Sequence, residues 1–356
     1  MAANHTTSMQ KPSSSGYKNY CLKILKSLIP LIVILTIFTL IDIFYVSGFA
    51  NMKFLTPGNV SQVIGQTVVI AIGAVGMTFI IVSAGIDLSV GSLVALAGVM
   101  ATWTIMAILN EDGSNIAIAM TAGLFVGIAT GAVVGLVNGS VINLGKLPPF
   151  IVTLGMMEIV RGLALQWANG VPVTGLPSAF RQLNNTGFTF DTGRELIIIP
   201  YSLFVLIAVG FIGTFILRKT VFGMQVYAVG SNENTARLCG VNVERVKLYV
   251  YMIGGLTAGI AGILHASRLN SGQPGEAIAM ELEVIAAVVI GGGSLMGGEG
   301  TVLGAVIGAF IIKFLRNGCN LVGVSPYMQR IVIGLIIIIA VYVDQMRRKS
   351  ATVKKT

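Results

Sequence analysis

Four stretches of this chain contain no Asp, Glu, Lys or Arg: Phe54 to Ile86, Leu88 to Asn110, Gly113 to Gly145 and Leu196 to Leu217. Each is at least as long as the roughly 20 residues that a helix needs to cross a bilayer core. A buried helix of a large soluble protein accounts for one such run, but not for four. The apolar pattern continues elsewhere, and the whole reads as ten spans: 28–49, 60–82, 89–109, 116–142, 149–169, 196–217, 248–267, 282–296, 301–316 and 328–344. The predicted fold is an all-α polytopic transmembrane helical bundle with both termini on one side.

Composition agrees: 54% of the 356 residues are hydrophobic and 10% are charged, against about 25% charged in a soluble domain. The net charge of +9 does not point to nucleic acid, because the positive residues are sorted by side. One predicted face holds 1–27, 83–88, 143–148, 218–247, 297–300 and the tail after Asp344, with fifteen of the 23 Lys and Arg residues. The opposite loops hold Lys53, Arg181, Arg194 and Arg268. Positive residues stay cytoplasmic, so both termini are expected there. The expected organisation is a disordered tail over 1–27, a transmembrane domain over 28–346 and a basic cytoplasmic tail over 347–356. The apolar run after residue 27 is too long for a signal-peptide core, and no A-x-A site ends it. The largest hydrophilic segments are an external loop, 170–195, and a cytoplasmic one, 218–247.

Glycine recurs every four residues at Gly123, Gly127, Gly131, Gly135 and Gly139, and again at Gly300, Gly304 and Gly308. Such a stripe lets a neighbouring helix come close. Two Gly-rich polar turns interrupt the spans, residues 83–92 and 291–301. In the first, Asp87 or Ser89 either caps the third span or lies on a solute path; in the second, Thr301 caps the ninth. No G-x-x-x-x-G-K-[ST] is present, so the chain does not hold ATP in the P-loop manner. Cys21, Cys239 and Cys319 form neither a disulfide framework nor a metal cluster, and no cofactor is expected.

Ionisable residues inside spans are candidates for function. Glu158 and Arg161 lie at i, i+3, close enough for a structural ion pair. Asp42, Glu281 and Glu283 fall near external ends, where water is at hand. His265 is isolated. In the cytoplasmic segment, Asn232 caps a short helix from Glu233 to about Leu238, closed by Gly240. Glu233 in its first turn and Arg237 in its last both suit the helix dipole. This is either a rigid knob for a partner or an ordered loop.

Five ordered motifs carry a resemblance: G-M-T-F-I-I-V-S-A-G-I-D-L-S-V-G-S-L (76–93), P-F-I-V-T-L-G-M-M-E-I-V-R-G (149–162), V-Y-A-V-G-S-N-E-N-T-A-R-L-C-G-V-N-V-E-R-V-K (226–247), E-L-E-V-I-A-A-V-V-I-G-G-G-S-L-M-G-G-E-G-T (281–301) and N-G-C-N-L-V-G-V-S-P-Y-M-Q (317–329). The chain resembles the ribose-type carbohydrate ABC importer permeases from about residue 28 onward, departing at Glu158 and Cys319. The resemblance implies an inner-membrane homodimer in the lipid bilayer with the solute path at the subunit interface. It also implies a cytoplasmic ATP-binding subunit and a periplasmic sugar-binding protein received partly by 170–195. It makes Gly230, Asn232, Glu233, Ala236, Arg237 and Gly240 the ATPase-coupling helix, and Phe150, Thr153 and Met156, with Asp87 and Ser89, candidates for the path. A gradient-driven secondary carrier of a small polar solute is the alternative. An intramembrane enzyme is disfavoured, because Glu158, Arg161 and His265 do not form a nucleophile and base.

Overall fold

The structure is a computed structural model that describes residues 14–46, 52–112, 115–191 and 196–353. Helices dominate it. They are α1 (Ser14–Ile41), α2 (Pro57–Val82), α3 (Val90–Asp112), α4 (Ile116–Gly145), α5 (Pro149–Trp167), α6 (Ser178–Asn185), α7 (Tyr201–Lys219), α8 (Val221–Ser231), α9 (Glu233–Leu238), α10 (Val243–Leu269), α11 (Met280–Ile290), α12 (Val302–Leu321) and α13 (Pro326–Val353). Among the described residues eight helices are long and apolar enough to cross a membrane: α2, α3, α4, α5, α7, α10, α12 and the apolar part of α1 with its π-turn.

α2 is the central post, with every residue from Thr67 to Val82 buried. It packs against α10, α12, α11 and α7. α10 in turn lies along α4 and α3. Lipid tails are as apolar as leucine, so helices in a bilayer associate through close packing and polar contacts. The glycine stripe provides the first. Gly123, Gly127, Gly131, Gly135 and Gly139 are all buried on α4. A methyl group at Gly131 would fall on the Gly255 carbonyl oxygen and within 2.8 Å of the Gly259 Cα. One at Gly135 would fall on the Tyr251 carbonyl. The stripe is therefore a backbone-to-backbone contact, answered on α10 by Gly255 and Gly259. Gly304 and Gly308 do the same for α12 against Gly291 and Ala287.

Several elements differ from the sequence expectation. The span expected at 282–296 is an 11-residue helix, α11, about 16 Å long at 1.5 Å per residue, so it reaches only halfway through a bilayer. Gly291, Gly292 and Gly293 end it, Gly292 at φ +91°. The expected tail is helical from Ser14 onward, and residues 1–13 lie outside the described residues. The basic C-terminal segment is helical to Val353. The start of the span at 196 is a strand: β1 (Gly187–Asp191) pairs antiparallel with β2 (Leu196–Pro200), Thr189 opposite Ile198. The hairpin follows α6, so the 170–195 loop is built rather than irregular. Val173 bridges to Gly272, which fastens that loop to the segment after α10.

The polar residues near this end of the bundle are satisfied by protein rather than by water. Asp42 is 2% exposed, and its Oδ2 accepts from the Lys53 and Phe54 N–H groups at 2.6 and 2.7 Å. Glu283 is 9% exposed and sits between Lys313 and Arg316 at 3.1 and 2.5 Å. The expected solvation of these two acids is thus incorrect.

A leucine at Gly131 forces α4 and α10 apart, and overpacking of this kind costs about 1–3 kcal/mol or more. Gly131→Leu is expected to lower the melting midpoint of the purified chain by several degrees or to abolish its monodisperse peak in size-exclusion chromatography. Gly58→Leu, where nothing lies within 4 Å of the added Cβ, leaves the melting midpoint unchanged.

Candidate functional site

The end of the bundle opposite the hairpin carries a compact polar assembly built from the 83–89 turn, the α8–α9 junction and the 291–300 turn. α8 begins at Thr220, whose Oγ1 accepts from the Gly223 N–H at 3.2 Å. This Thr-led cap is a sequence signal for a helix that the reading of 218–247 missed. α8 ends at Asn232, which serves next as N-cap of α9: its Oδ1 accepts from the Thr235 N–H at 2.9 Å. The chain reverses through Gly240 at φ +84°, and Asn242 caps α10 by accepting from the Arg245 N–H at 3.0 Å.

α9 is clamped by charge. Arg237 reaches Glu244 at 2.6 Å and Glu233 at 3.5 Å, and Lys247 reaches Glu233 at 2.8 Å. These groups are largely exposed, and exposed pairs are each worth under about 1 kcal/mol; they orient the helix more than they stabilise it. Ala236 is buried beneath α9, while Leu238 stands 88% exposed at its tip. Met224 and Met296 are also exposed at 63% and 62%. The result is a short, rigid helix offering an apolar tip.

The base of this knob is in direct backbone contact with both Gly-rich turns. A methyl at Gly230 would fall on the Val82 carbonyl oxygen and within 2.8 Å of the Gly298 nitrogen. The Gly298 N–H donates to that same Val82 carbonyl at 2.8 Å. Tyr227 donates its hydroxyl to the Gly300 carbonyl at 2.7 Å. The 83–89 turn contains Ala84 at φ +62°. Its Ile86 carbonyl accepts from Tyr251 of α10 and from Thr153 of α5, both at 3.3 Å. Contacts from the base of α9 and the two turns thus join α2, α5, α8 and α10 with the segment leading into α12.

Asp87 and Ser89 lie inside this assembly, each 0% exposed. The Asp87 Oδ1 accepts from the Ser89 N–H at 2.8 Å and from the Ser89 hydroxyl at 2.6 Å. Asn138 of α4 donates to the Ser89 Oγ at 3.0 Å. They shape the entry to α3 and do not line an open channel. The other expected path residues do not share a wall. Thr153 is buried against the 83–89 turn, Met156 packs on the core, and Phe150 is 51% exposed.

The Glu158–Arg161 ion pair does not form. Arg161 turns instead to the segment after α10, donating to the Pro274 and Glu276 carbonyls at 2.7 Å each. Among the described residues Glu158 has no ion-pair partner. It stands exposed on a face of α5 with Leu154, Leu165 and Gly162. His265 has its Nε2 3.9 Å from Glu276 and without a hydrogen bond. Among the described residues no group of His, Cys, Asp and Glu has metal-holding geometry.

The apolar bundle with its capped knob defines a multi-pass membrane transport subunit. The chain belongs to the family described as branched-chain amino acid transport system / permease component, whose model matches residues 59–341. It is 40% identical over 331 residues to the ribose import permease protein RbsC of Escherichia coli K12, covering 91% of this chain and 94% of that protein. It is also 40% identical to the RbsC of Bacillus subtilis 168, over 85% and 88% of the two chains. The xylose transport system permease protein XylH of Escherichia coli K12 is 33% identical over 94% and 95%. No solved structure matches with significance. The chain is accordingly a bacterial inner-membrane permease and not an enzyme.

Burial raises the Asp87 carboxyl above its usual range, against the opposing bonds from Ser89. A folded-state value above the unfolded one means that its stabilising effect is complete at acid pH and fades as pH rises through the folded value. Asp87→Asn preserves the Oδ1 contacts and removes the charge. It is expected to keep the melting midpoint at acid pH and to flatten its decline as pH rises to neutral. Asp87→Ala, which leaves the Ser89 donors unpaired, is expected to cost about 1–3 kcal/mol at acid and at neutral pH, read by thermal melts of the purified chain.

Proposed function

We propose that this chain is the membrane-spanning half of an ATP-driven importer that carries a monosaccharide, ribose in first place. The observation that carries this reading is the 40% identity, extending over nine-tenths of the chain, to a protein named for ribose import. α9 is the coupling helix: Leu238 and the clamped Arg237 seat in a groove of a separate cytoplasmic ATP-binding subunit, and the termini lie on the same side. Closure of the ATPase pair on ATP pushes α9. The Gly230–Val82–Gly298 contact passes that push to the 83–89 and 291–300 turns, and Thr153 carries it to α5. Two copies face each other across the open side of α5. Glu158 and Phe150 of that side then border the solute path, which explains how an unpaired carboxylate is tolerated at membrane depth. At the far end, α6 and the β1–β2 hairpin receive a periplasmic binding protein. The gradient-driven alternative lacks a motive feature here, since the two Gly-rich turns meet at one end of the bundle rather than at inverted positions.

Proteoliposomes holding the full complex are expected to take up ribose only with ATP and the ATPase subunit. Uptake at full rate without that subunit overturns the reading, and ATP-driven uptake of xylose alone corrects the sugar. Arg237→Glu reverses the charge between Glu233 and Glu244. It is expected to cut uptake at least tenfold while the permease stays folded and ATP hydrolysis continues. Unchanged uptake and assembly would remove α9 from the coupling role.

A further inference from the structure

The end of the bundle that carries the hairpin holds a cavity of about 400 Å³ between α11, α12 and the start of α13. Glu283, Arg316, Asn320, Gln329 and Arg330 supply its polar lining. Its other walls include Ile278, Leu282 and Ile333. The charges do not balance. Glu283 is the one carboxylate, and both Lys313 and Arg316 already lean on it. Among the described residues Arg330 has no acidic partner, and the Arg316 Nε is buried without a hydrogen bond. Gln329 is 5% exposed and is held by its amide donating to Asn320 and to the Val324 carbonyl, which fixes α13 against the end of α12.

Surplus positive charge in a partly desolvated site is costly unless an anion meets it. Arg316 lies five residues from the end of α12 and Arg330 four residues into α13. At 1.5 Å per residue these depths are roughly 5–8 Å, the level where headgroups give way to acyl chains. Ile278 and Leu282 of the cavity wall are 74% and 51% exposed, and Tyr327, next in the chain to the lining residue Pro326, is 80% exposed, as an interfacial aromatic is. Guanidinium groups recognise a phosphate diester through forked N–H donors, and the apolar wall suits a chain attached to it.

We propose that this cavity binds the phosphate headgroup of an anionic glycerophospholipid, held by Arg316 and Arg330, with an acyl chain along Ile278 and Leu282. The lipid neutralises the surplus charge and cements α13 to α11 and α12. The proposal rests on the membrane location alone and stands whichever solute is carried.

The test is native mass spectrometry of the full chain in detergent, titrated with phosphatidylglycerol, phosphatidylcholine or inorganic phosphate. Phosphatidylglycerol is expected to bind at least tenfold more tightly than phosphatidylcholine. Arg330→Gln, which leaves the Glu283 cluster untouched, is expected to weaken phosphatidylglycerol about fivefold, the effect of one Arg near an anionic lipid. It leaves phosphatidylcholine binding and the melting midpoint in detergent unchanged. Equal binding of the two lipids, or a preference that survives Arg330→Gln, overturns the proposal. Inorganic phosphate that competes at the lipid's own concentration assigns the site to a free anion and overturns the lipid. A second copy as occupant would show itself as near-complete disulfide dimerisation of Ile278→Cys in a background with Cys21, Cys239 and Cys319 replaced by Ser.

Discussion

Everything in this bundle depends on how closely backbones approach one another where side chains are missing. Between apolar helices in lipid there is no water to expel, so affinity comes from dispersion at short range and from polar contacts. Gly131 against Gly255 and Gly259 brings α4 onto α10, and Gly304 and Gly308 bring α12 onto α11. These contacts place α10 along α2, and α2 delivers Val82 to the point where Gly230 and Gly298 converge. The same device that packs the membrane core also builds the linkage at the knob. In both places a carbonyl oxygen faces a position where any Cβ would collide. The packing of the core and that of the knob's base therefore share one chemistry.

A close-packed junction is also what a transmitting element requires. A knob on a flexible loop would absorb a push. α9 is held instead at its N-cap by Asn232, at its sides by the Glu233–Lys247 and Glu244–Arg237 pairs, and at its base by Gly230. The ion pairs are individually weak, but they act across a helix too short to be stable by itself. Tertiary contact does most of the holding. The rigid part is the base and the exposed part is the Leu238 tip, a division that suits reversible contact with another protein.

The sequence made the periodic features legible. Charge-free runs mark the long helices, the four-residue glycine spacing marks the α4 seam, and Asn232 and Thr301 mark helix starts because a side-chain cap is a local event. What it hid is non-local. The half-length α11 sits in a run as apolar as its neighbours, and only the positive φ at Gly292 stops it. β1 and β2 hold half of their pairing partners in one another, so neither reads as a strand by itself. Arg161 has Glu158 one turn away and still chooses carbonyls more than a hundred residues distant, because burial rewards fixed carbonyl acceptors that the chain must satisfy in any case. Glu283 near a span end looked solvated, and its two cations came from α12.

That last difference changes how charge inside the membrane should be read. Position along a span shows how far a group lies from water, but not what surrounds it at that depth. Asp42 and Glu283 stand near the same end of the bundle, and both are sealed by protein. Asp42 takes two backbone N–H groups on its Oδ2. Glu283 is over-satisfied, with two cations in contact and a third, Arg330, lining the same cavity. Glu158, at the middle of α5, has no cation in ion-pair contact among the described residues. Three carboxylates that composition cannot distinguish therefore have three different settings: a helix-end clasp, the core of a cationic cavity, and an exposed charge on the outer face of α5.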